Sequence, residues 1–215
     1  MRTPFARVAC FVAIACATSI AHAQAKLGMD SLYAVIKLQP GQSIVRDNFK
    51  LVLEQRDAGV RGASGWYLIK SAKGGFSVRL PAPVNEAVFY SKERNGFQIE
   101  QNYLLSESGA KKFMLVCTKH GKFLLPRTPD PVQSMVSASE SSFRQFKSAH
   151  FADATHEGVE YSGINESGAY LAAQSFLLGD TYCNFGVRSS EPFNGIPPEA
   201  RTAFASFRLL PGPKD

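Results

Sequence analysis

Residues 74–83 read GGFSVRLPAP, and the alternation within this stretch indicates the kind of fold that the chain adopts. Apolar Phe76, Val78 and Leu80 alternate with polar residues until two prolines follow. A period of two places successive side chains on opposite faces of a β-strand. Prolines end such a pattern because they cannot donate a hydrogen bond to the neighbouring strand. The stretch therefore predicts a strand with one face in a core.

Segments with the same alternation recur from residue 66 onward. WYLIKS precedes the opening stretch, and Asn95-Gly96 lies between VNEAVFYSK and FQIEQNYLL, as a hairpin turn does. The later segments of this kind are KKFMLVCTK, EGVEYSGIN, GAYLAAQSFLL and TYCNFGVR. Strands that follow one another through short turns predict an antiparallel meander.

Two other segments predict helices that flank this sheet. Asp130 followed by Pro131 is typical of a helix start, and apolar or small residues then recur at steps of three or four, namely Val132, Met135, Val136, Ser139, Phe143 and Phe146. Near the end of the chain, PPEARTAFASF predicts a second helix. The fold class predicted is therefore α+β, with an antiparallel sheet of about six or seven strands, a mid-chain helix and a C-terminal helix.

The composition along the chain predicts four segments. Residues 1–23 are typical of a cleaved signal peptide, with Arg2 and Arg7 before a short apolar run and a small-x-small site at Ala23. The glycine-rich connector at residues 57–65 ends an N-terminal extension, 24–65. The main domain is then 66–210, and 211–215 is a tail.

The signal peptide predicts a secreted or periplasmic protein with no transmembrane segment after cleavage, because the apolar run is shorter than the roughly 18 residues that span a bilayer. Loss of Arg2 and Arg7 lowers the formal charge from +6 to +4. This modest charge, mixed with acidic residues, argues against nucleic acid as a partner.

Cleavage leaves two cysteines, Cys117 and Cys183, and an oxidising compartment favours one disulfide between them. In each predicted strand the cysteine shares a face with two apolar residues, which are Phe113 and Leu115 in one strand and Phe185 and Val187 in the other. Both thiols are thus expected to point into apolar surroundings. The alternative is a pair of separate buried thiols, because sequence alone does not fix the distance between them.

The order of these segments resembles that of small exported bacterial proteins of the PsbP-like superfamily. The resemblance covers residues 66–210 and rests on GGFSVRLPAP, on the hairpins around a mid-chain helix, on TYCNFGV and on PPEARTAFASFRLL. It implies an antiparallel sheet flanked by helices in a non-catalytic adaptor, assembly or binding protein. It implies no shared catalytic residues.

Two clusters of residues are candidates for chemistry. His150, Asp153 and His156 within HFADATH are ligand types that zinc accepts, although on a helix the two histidines would lie about 120° apart. Exposed loop histidines are the alternative. The second cluster is a basic hairpin that contains no Asp or Glu over residues 111–127, with Lys111, Lys112, Lys119, His120, Lys122 and Arg127. Such residues are either solvated strand ends or a surface for an acidic partner.

The sequence contains none of the common signatures of nucleophilic, nucleotide-binding or metalloprotease sites. It therefore predicts a non-enzymatic binding or assembly protein without a cofactor, whose partner is an envelope protein or an acidic envelope component. One alternative is a periplasmic inhibitor or immunity protein that neutralises a toxin. A second alternative is a metal-dependent hydrolase that uses His150, Asp153 and His156.

Overall fold

The structure is a computed structural model that describes residues 29–46, 49–71, 73–92, 98–119, 128–152, 156–179 and 181–210. The predicted signal peptide and tail lie outside these residues, as do Lys122, Arg127 and Asp153.

The described residues form two antiparallel sheets. The strands in chain order are β1 (Ser43–Arg46), β2 (Phe49–Ala58), β3 (Val60–Arg61), β4 (Tyr67–Ser71), β5 (Phe76–Leu80), β6 (Val84–Lys92), β7 (Gln98–Ser108), β8 (Lys111–Lys119), β9 (Phe143–Ala152), β10 (Glu157–Asn165), β11 (Tyr170–Leu178), β12 (Thr181–Ser189) and β13 (Arg208–Leu209). Nine of them form one sheet in the order β1-β2-β6-β7-β8-β12-β11-β10-β9, and four form a second sheet in the order β13-β5-β4-β3.

The predicted fold class is wrong, because the protein is mostly β. Its main sheet has nine strands rather than six or seven, and a separate four-stranded sheet packs against it. Alternation in GGFSVRLPAP correctly indicated a strand, β5, with Phe76, Val78 and Leu80 fully buried. Alternation does not indicate which sheet a strand joins, since β5 pairs with β4 and β13 instead of with the meander. Residues 43–58, from the predicted extension, supply β1 and β2 of the main sheet.

Three short α-helices, α1 (Met29–Ala34), α2 (Pro131–Ala138) and α3 (Pro198–Ala205), and two 3-10 turns, Val35–Lys37 and Glu140–Ser142, complete the described fold. Asp130 caps α2, because its side chain accepts a hydrogen bond from the Gln133 backbone N–H at 2.8 Å. The helix ends at Ala138, however, so Phe143 and Phe146 belong to β9 and not to a helical stripe.

A β-bulge explains the helix-like spacing of Phe143 and Phe146. The register between β9 and β10 shifts opposite Gly163, and Gln145 at the bulge has a positive φ of 55°. The extra residue brings Phe143 and Phe146 to the same face, where both rings lie near Tyr161. A bulged strand can therefore imitate the three-residue step of a helix.

One face of the nine-stranded sheet, called here the covered face, is buried under the second sheet and α3. Its core is continuous and joins Phe113, Leu115 and Phe185 of the large sheet to Phe76 of β5 and Phe204 of α3. The rings of Phe185 and Phe204 lie 4.8 Å apart in an edge-on arrangement. This core holds the two sheets together.

The disulfide between Cys117 and Cys183 is confirmed. The two residues lie directly opposite each other in the β8–β12 pairing, with Cα atoms 4.2 Å apart and sulfurs bonded at 2.07 Å. Both side chains are buried on the covered face. The bond joins the β6–β8 meander to the β9–β12 meander. The two cysteines are 66 residues apart in the sequence.

The opposite face, called here the divided face, has two separate cores instead of one. At one end, α1 and the residue after it cover the sheet through Leu32, Tyr33 and Val35. At the other end, α2 covers it through Val132 and Val136. The middle of the divided face therefore lies between two helices.

Candidate functional site

A cluster of hydrogen-bonding side chains lies in the middle of the divided face, on strands β10, β11 and β12. Tyr182 donates to Ser175 Oγ at 3.0 Å, and Asn184 Nδ2 donates to the same oxygen at 2.7 Å. Asn184 Nδ2 also donates to Tyr161 Oη at 2.6 Å. Ser175 is fully buried, whereas the other three side chains are partly exposed. We call these four residues the hydroxyl cluster.

A second hydrogen-bonded group extends the hydroxyl cluster across the sheet. Thr118 of β8 lies directly opposite Tyr182 and accepts a hydrogen bond from Gln101 Nε2 at 3.0 Å. Tyr103 donates to Gln101 Oε1 at 2.9 Å. All three of these side chains are buried. Neutral polar groups thus continue from β7 to β10 between the two helix-covered ends.

The alternation of side chains along β12 places the hydroxyl cluster on the divided face. Cys183, Phe185 and Val187 point into the covered face, so Tyr182 and Asn184 point to the divided face. The apolar set predicts the direction of Cys183, whereas the cluster is formed by the polar set on the other face. The usable signal is a tyrosine and an asparagine at alternate positions of a strand whose other face carries Cys183, Phe185 and Val187.

The hydroxyl cluster is electrically neutral. Burial raises the pKa of Tyr182 and of Tyr161, and their hydrogen bonds with Ser175 and Asn184 oppose that rise only in part. Both phenols therefore stay protonated in the physiological range. Among the described residues, Ser175 Oγ accepts hydrogen bonds from the Tyr182 phenol and the Asn184 carboxamide, neither of which is a base. This arrangement suits hydrogen-bonded binding better than activation of a nucleophile.

Charged residues border the cluster toward one end of β12. Glu107, Lys112 and Arg188 lie opposite one another on three neighbouring strands. Lys112 Nζ is 3.1 Å from Glu107 and 4.5 Å from the centre of the Tyr33 ring, while Arg188 donates to Ser167 Oγ at 3.0 Å. Like charges directly opposite repel each other, and Glu107 offsets that repulsion.

The structure separates the candidates of the basic hairpin. Lys111 and Lys112 begin β8 and point to opposite faces, whereas Lys119 ends the strand, about 26 Å away at 3.3 Å per residue. Lys111 Nζ is 2.7 Å from Glu199 Oε1. The first two lysines are thus each paired with a carboxylate, while Lys122 and Arg127 lie outside the described residues. Binding of an acidic partner by the residues of the basic hairpin stays a prediction.

The two candidate metal-binding histidines lie on opposite faces of the sheet. His150 of β9 is opposite Val159 on the divided face, where its Nε2 is 3.6 Å from Asp130. His156 packs on the covered face against Phe176 and Phe207, with ring centres 4.3 and 5.4 Å away. Asp153 is outside the described residues. Within the described ranges, no group of three potential metal ligands comes together.

No helix in the described part of the chain is both long and apolar enough to cross a membrane. No model of a known protein family matches the chain, and neither a curated protein nor a solved structure is detectably similar to it.

Proposed function

We propose that this chain is an exported, non-enzymatic binding protein of the cell envelope, and that it binds its partner on the middle of the divided face. The observation that supports this proposal is the hydroxyl cluster, which is partly exposed between α1 and α2. A site made of neutral donors and acceptors in fixed positions is suited to recognition.

The chemistry of the cluster favours a partner rich in hydroxyl or amide groups. Tyr161 and Tyr182 each carry a neutral phenol on a partly exposed side chain, and Asn184 carries a carboxamide. Such side chains bind sugars or peptide backbone without needing a charge on the ligand. Lys112 and Arg188 at the border would hold acidic groups of the same partner. An envelope polymer or an envelope protein fits this description.

Export is the second part of the proposal. Residues 1–23 have the charge, apolar run and cleavage pattern of a signal peptide. The Cys117–Cys183 disulfide supports an oxidising compartment, because such bonds rarely persist in the cytosol. The class of function is also the one that the PsbP-like resemblance implies.

The test is capture of envelope components by the mature chain, residues 24–215, immobilised on a resin. We expect the wild type to retain envelope polymer or several envelope proteins, and the double variant Tyr182→Phe, Asn184→Leu to lose them. Tyr90→Phe is the matched control, because Tyr90 is an exposed tyrosine on the other face of the same sheet.

Two outcomes would change the proposal. Equal capture by the double variant and the wild type removes the divided face as the binding site. Retention of one stoichiometric partner with toxic activity favours the alternative function, an inhibitor or immunity protein.

A further inference from the structure

A cleft of about 340 Å³ opens at the margin of the covered face, away from the hydroxyl cluster. Four chain segments meet there: the turn after β5, the β7–β8 turn, the residues after β12 and the first turn of α3. The residues that matter for its chemistry are Pro81, Gly109, Lys111, Phe113, Glu191 and Glu199. The binding site proposed on the divided face does not include this cleft; of the charged residues in the predicted basic hairpin, Lys111 lines it.

Small residues form one side of the cleft, and a phenylalanine forms its base. Gly109 in the β7–β8 turn has a φ of +58°, and a Cβ atom built there meets no other atom within 4 Å. Ala110 follows it, so small residues form this side. The floor is Phe113, which is fully buried in the core shared by the two sheets. The cleft therefore has a buried phenylalanine at its base and small residues on one side.

Charges of both signs line the cleft. Lys111 Nζ is 2.7 Å from Glu199 Oε1, and Glu191 lines the same space. The lysine hydrogen bond lowers the pKa of Glu199, so this carboxylate stays ionised at neutral pH. An ammonium group has three donors, of which this ion pair uses one. The cleft thus offers spare donors on one cation and spare acceptors on two carboxylates.

From this arrangement we propose that the cleft binds a small zwitterion of the size of an amino acid or a dipeptide. Such a ligand carries one ammonium group and one carboxylate. The ligand carboxylate bonds to Lys111, and the ligand ammonium bonds to Glu191 and Glu199. A simple anion would face two carboxylates, and a simple cation would leave the free donors of Lys111 unused. The cleft volume of about 340 Å³ equals the liquid volume of about eleven water molecules at about 30 Å³ each, which is room for a ligand of this size.

Calorimetric titration of the wild-type mature chain with three ligands that share one dipeptide backbone tests this proposal. The first is L-alanyl-L-alanine, the second is its N-acetyl derivative without an ammonium, and the third is its C-terminal amide without a carboxylate. We expect the free dipeptide to bind and each blocked form to bind at least about tenfold more weakly, since each loses charge-assisted hydrogen bonds. Equal affinities, or no binding of the free dipeptide at millimolar concentration, would overturn the proposal.

A pair of double variants locates the site. Lys111→Met with Glu199→Gln removes the ion pair in the cleft, and we expect dipeptide binding to disappear. Lys112→Met with Glu107→Gln removes a similar pair on the other face of the same strand, and we expect binding to be unchanged. Binding that survives the first double variant contradicts the assignment, and if that variant does not fold, the three ligands on the wild type still decide.

This inference and the proposed function fail separately, because the two sites lie on opposite faces. The variant Tyr182→Phe, Asn184→Leu should bind the dipeptide as the wild type does. Loss of dipeptide binding in that variant would contradict the cleft as a separate site.

Discussion

The two faces of the nine-stranded sheet are built from the same strands but differ in how they are buried. The covered face has one continuous core that includes six phenylalanines, the disulfide and α3. The divided face has one core under α1, another under α2, and hydrogen-bonded polar side chains between them. A continuous apolar core stabilises the fold, whereas fixed neutral polar groups provide specificity. We therefore expect the covered face to contribute most of the stability, and the divided face is the one that we propose for recognition.

The largest difference is expected from removing one aromatic ring on each face. Phe185→Ala should lower the free energy of unfolding by about 3–5 kcal/mol, because Phe185 is fully buried and a cavity would remain beneath Phe204. Phe146→Ala on the divided face should lower it by less than about 2 kcal/mol, since Phe146 is partly exposed. Urea unfolding of both variants measures the difference, and equal losses would show that the two faces contribute equally to stability.

The disulfide is expected to have the next largest effect. Replacing both Cys117 and Cys183 by alanine should lower the free energy of unfolding by about 2–4 kcal/mol, because the bond closes a 66-residue loop in the unfolded chain. The oxidised wild type and its reduced form provide the measurement without substitution. A loss below about 1 kcal/mol would show that the β8–β12 pairing is held mainly by the surrounding phenylalanines.

The sequence could predict the strands of the covered face but not how they assemble. Phe76, Val78 and Leu80 alternate clearly, and so do the residues around both cysteines, because a single buried face imposes a strict period of two. The sheet to which a strand belongs depends on contacts between residues that are distant in sequence. The local sequence of β5 therefore does not show that this strand is separate from the meander. Phe143 and Phe146 misled because a bulge at Gln145 changes the period within a strand.

The candidate site was harder to predict than the fold. Tyr161, Ser175 and Asn184 come from three strands, and only the register of β10, β11 and β12 brings their side chains together. Polar residues at alternate positions are also what a solvated face would contain. The hydroxyl cluster therefore became visible only through its hydrogen bonds.

A smaller contrast is expected between two carboxamides, one on each face: Gln174 is buried, whereas Asn184 is partly exposed. On the divided face, Asn184→Leu should lower the free energy of unfolding by about 1–3 kcal/mol, because it removes the hydrogen bonds that Asn184 donates to Ser175 and Tyr161. On the covered face, Gln174→Leu should change it by less than about 1 kcal/mol. Gln174 donates to Glu160 at 3.2 Å, but its buried Oε1 has no hydrogen-bond partner among the described residues.

The reason for the weak effect at Gln174 is that leucine removes an unsatisfied acceptor along with one hydrogen bond, and the two changes offset each other. Chemical denaturation of the two leucine variants gives both values. A larger loss for Gln174→Leu than for Asn184→Leu would show that the polar side chains of the covered face, and not those of the divided face, contribute more to stability.

The smallest expected effect is a pH dependence at the margin of the covered face. The hydrogen bond from Lys111 is the main reason that the pKa of Glu199 lies below its ordinary value of 4.5. A carboxyl group with a lowered pKa in the folded state stabilises the fold above its unfolded pKa, and this contribution is lost as the pH falls through the folded value. Because Glu199 is 44% exposed, solvent screening limits the contribution to below about 1 kcal/mol.

Urea unfolding at pH 6 and pH 3 tests this contribution in the wild type and in Glu199→Gln. The loss of stability on acidification should be slightly smaller in the variant, since the glutamine does not titrate. An equal loss in both proteins would mean that the ion pair with Lys111 adds nothing to stability. The pair would then be free to open for a ligand without weakening the fold, whereas a measurable contribution would have to be offset by the ligand's own ionic contacts.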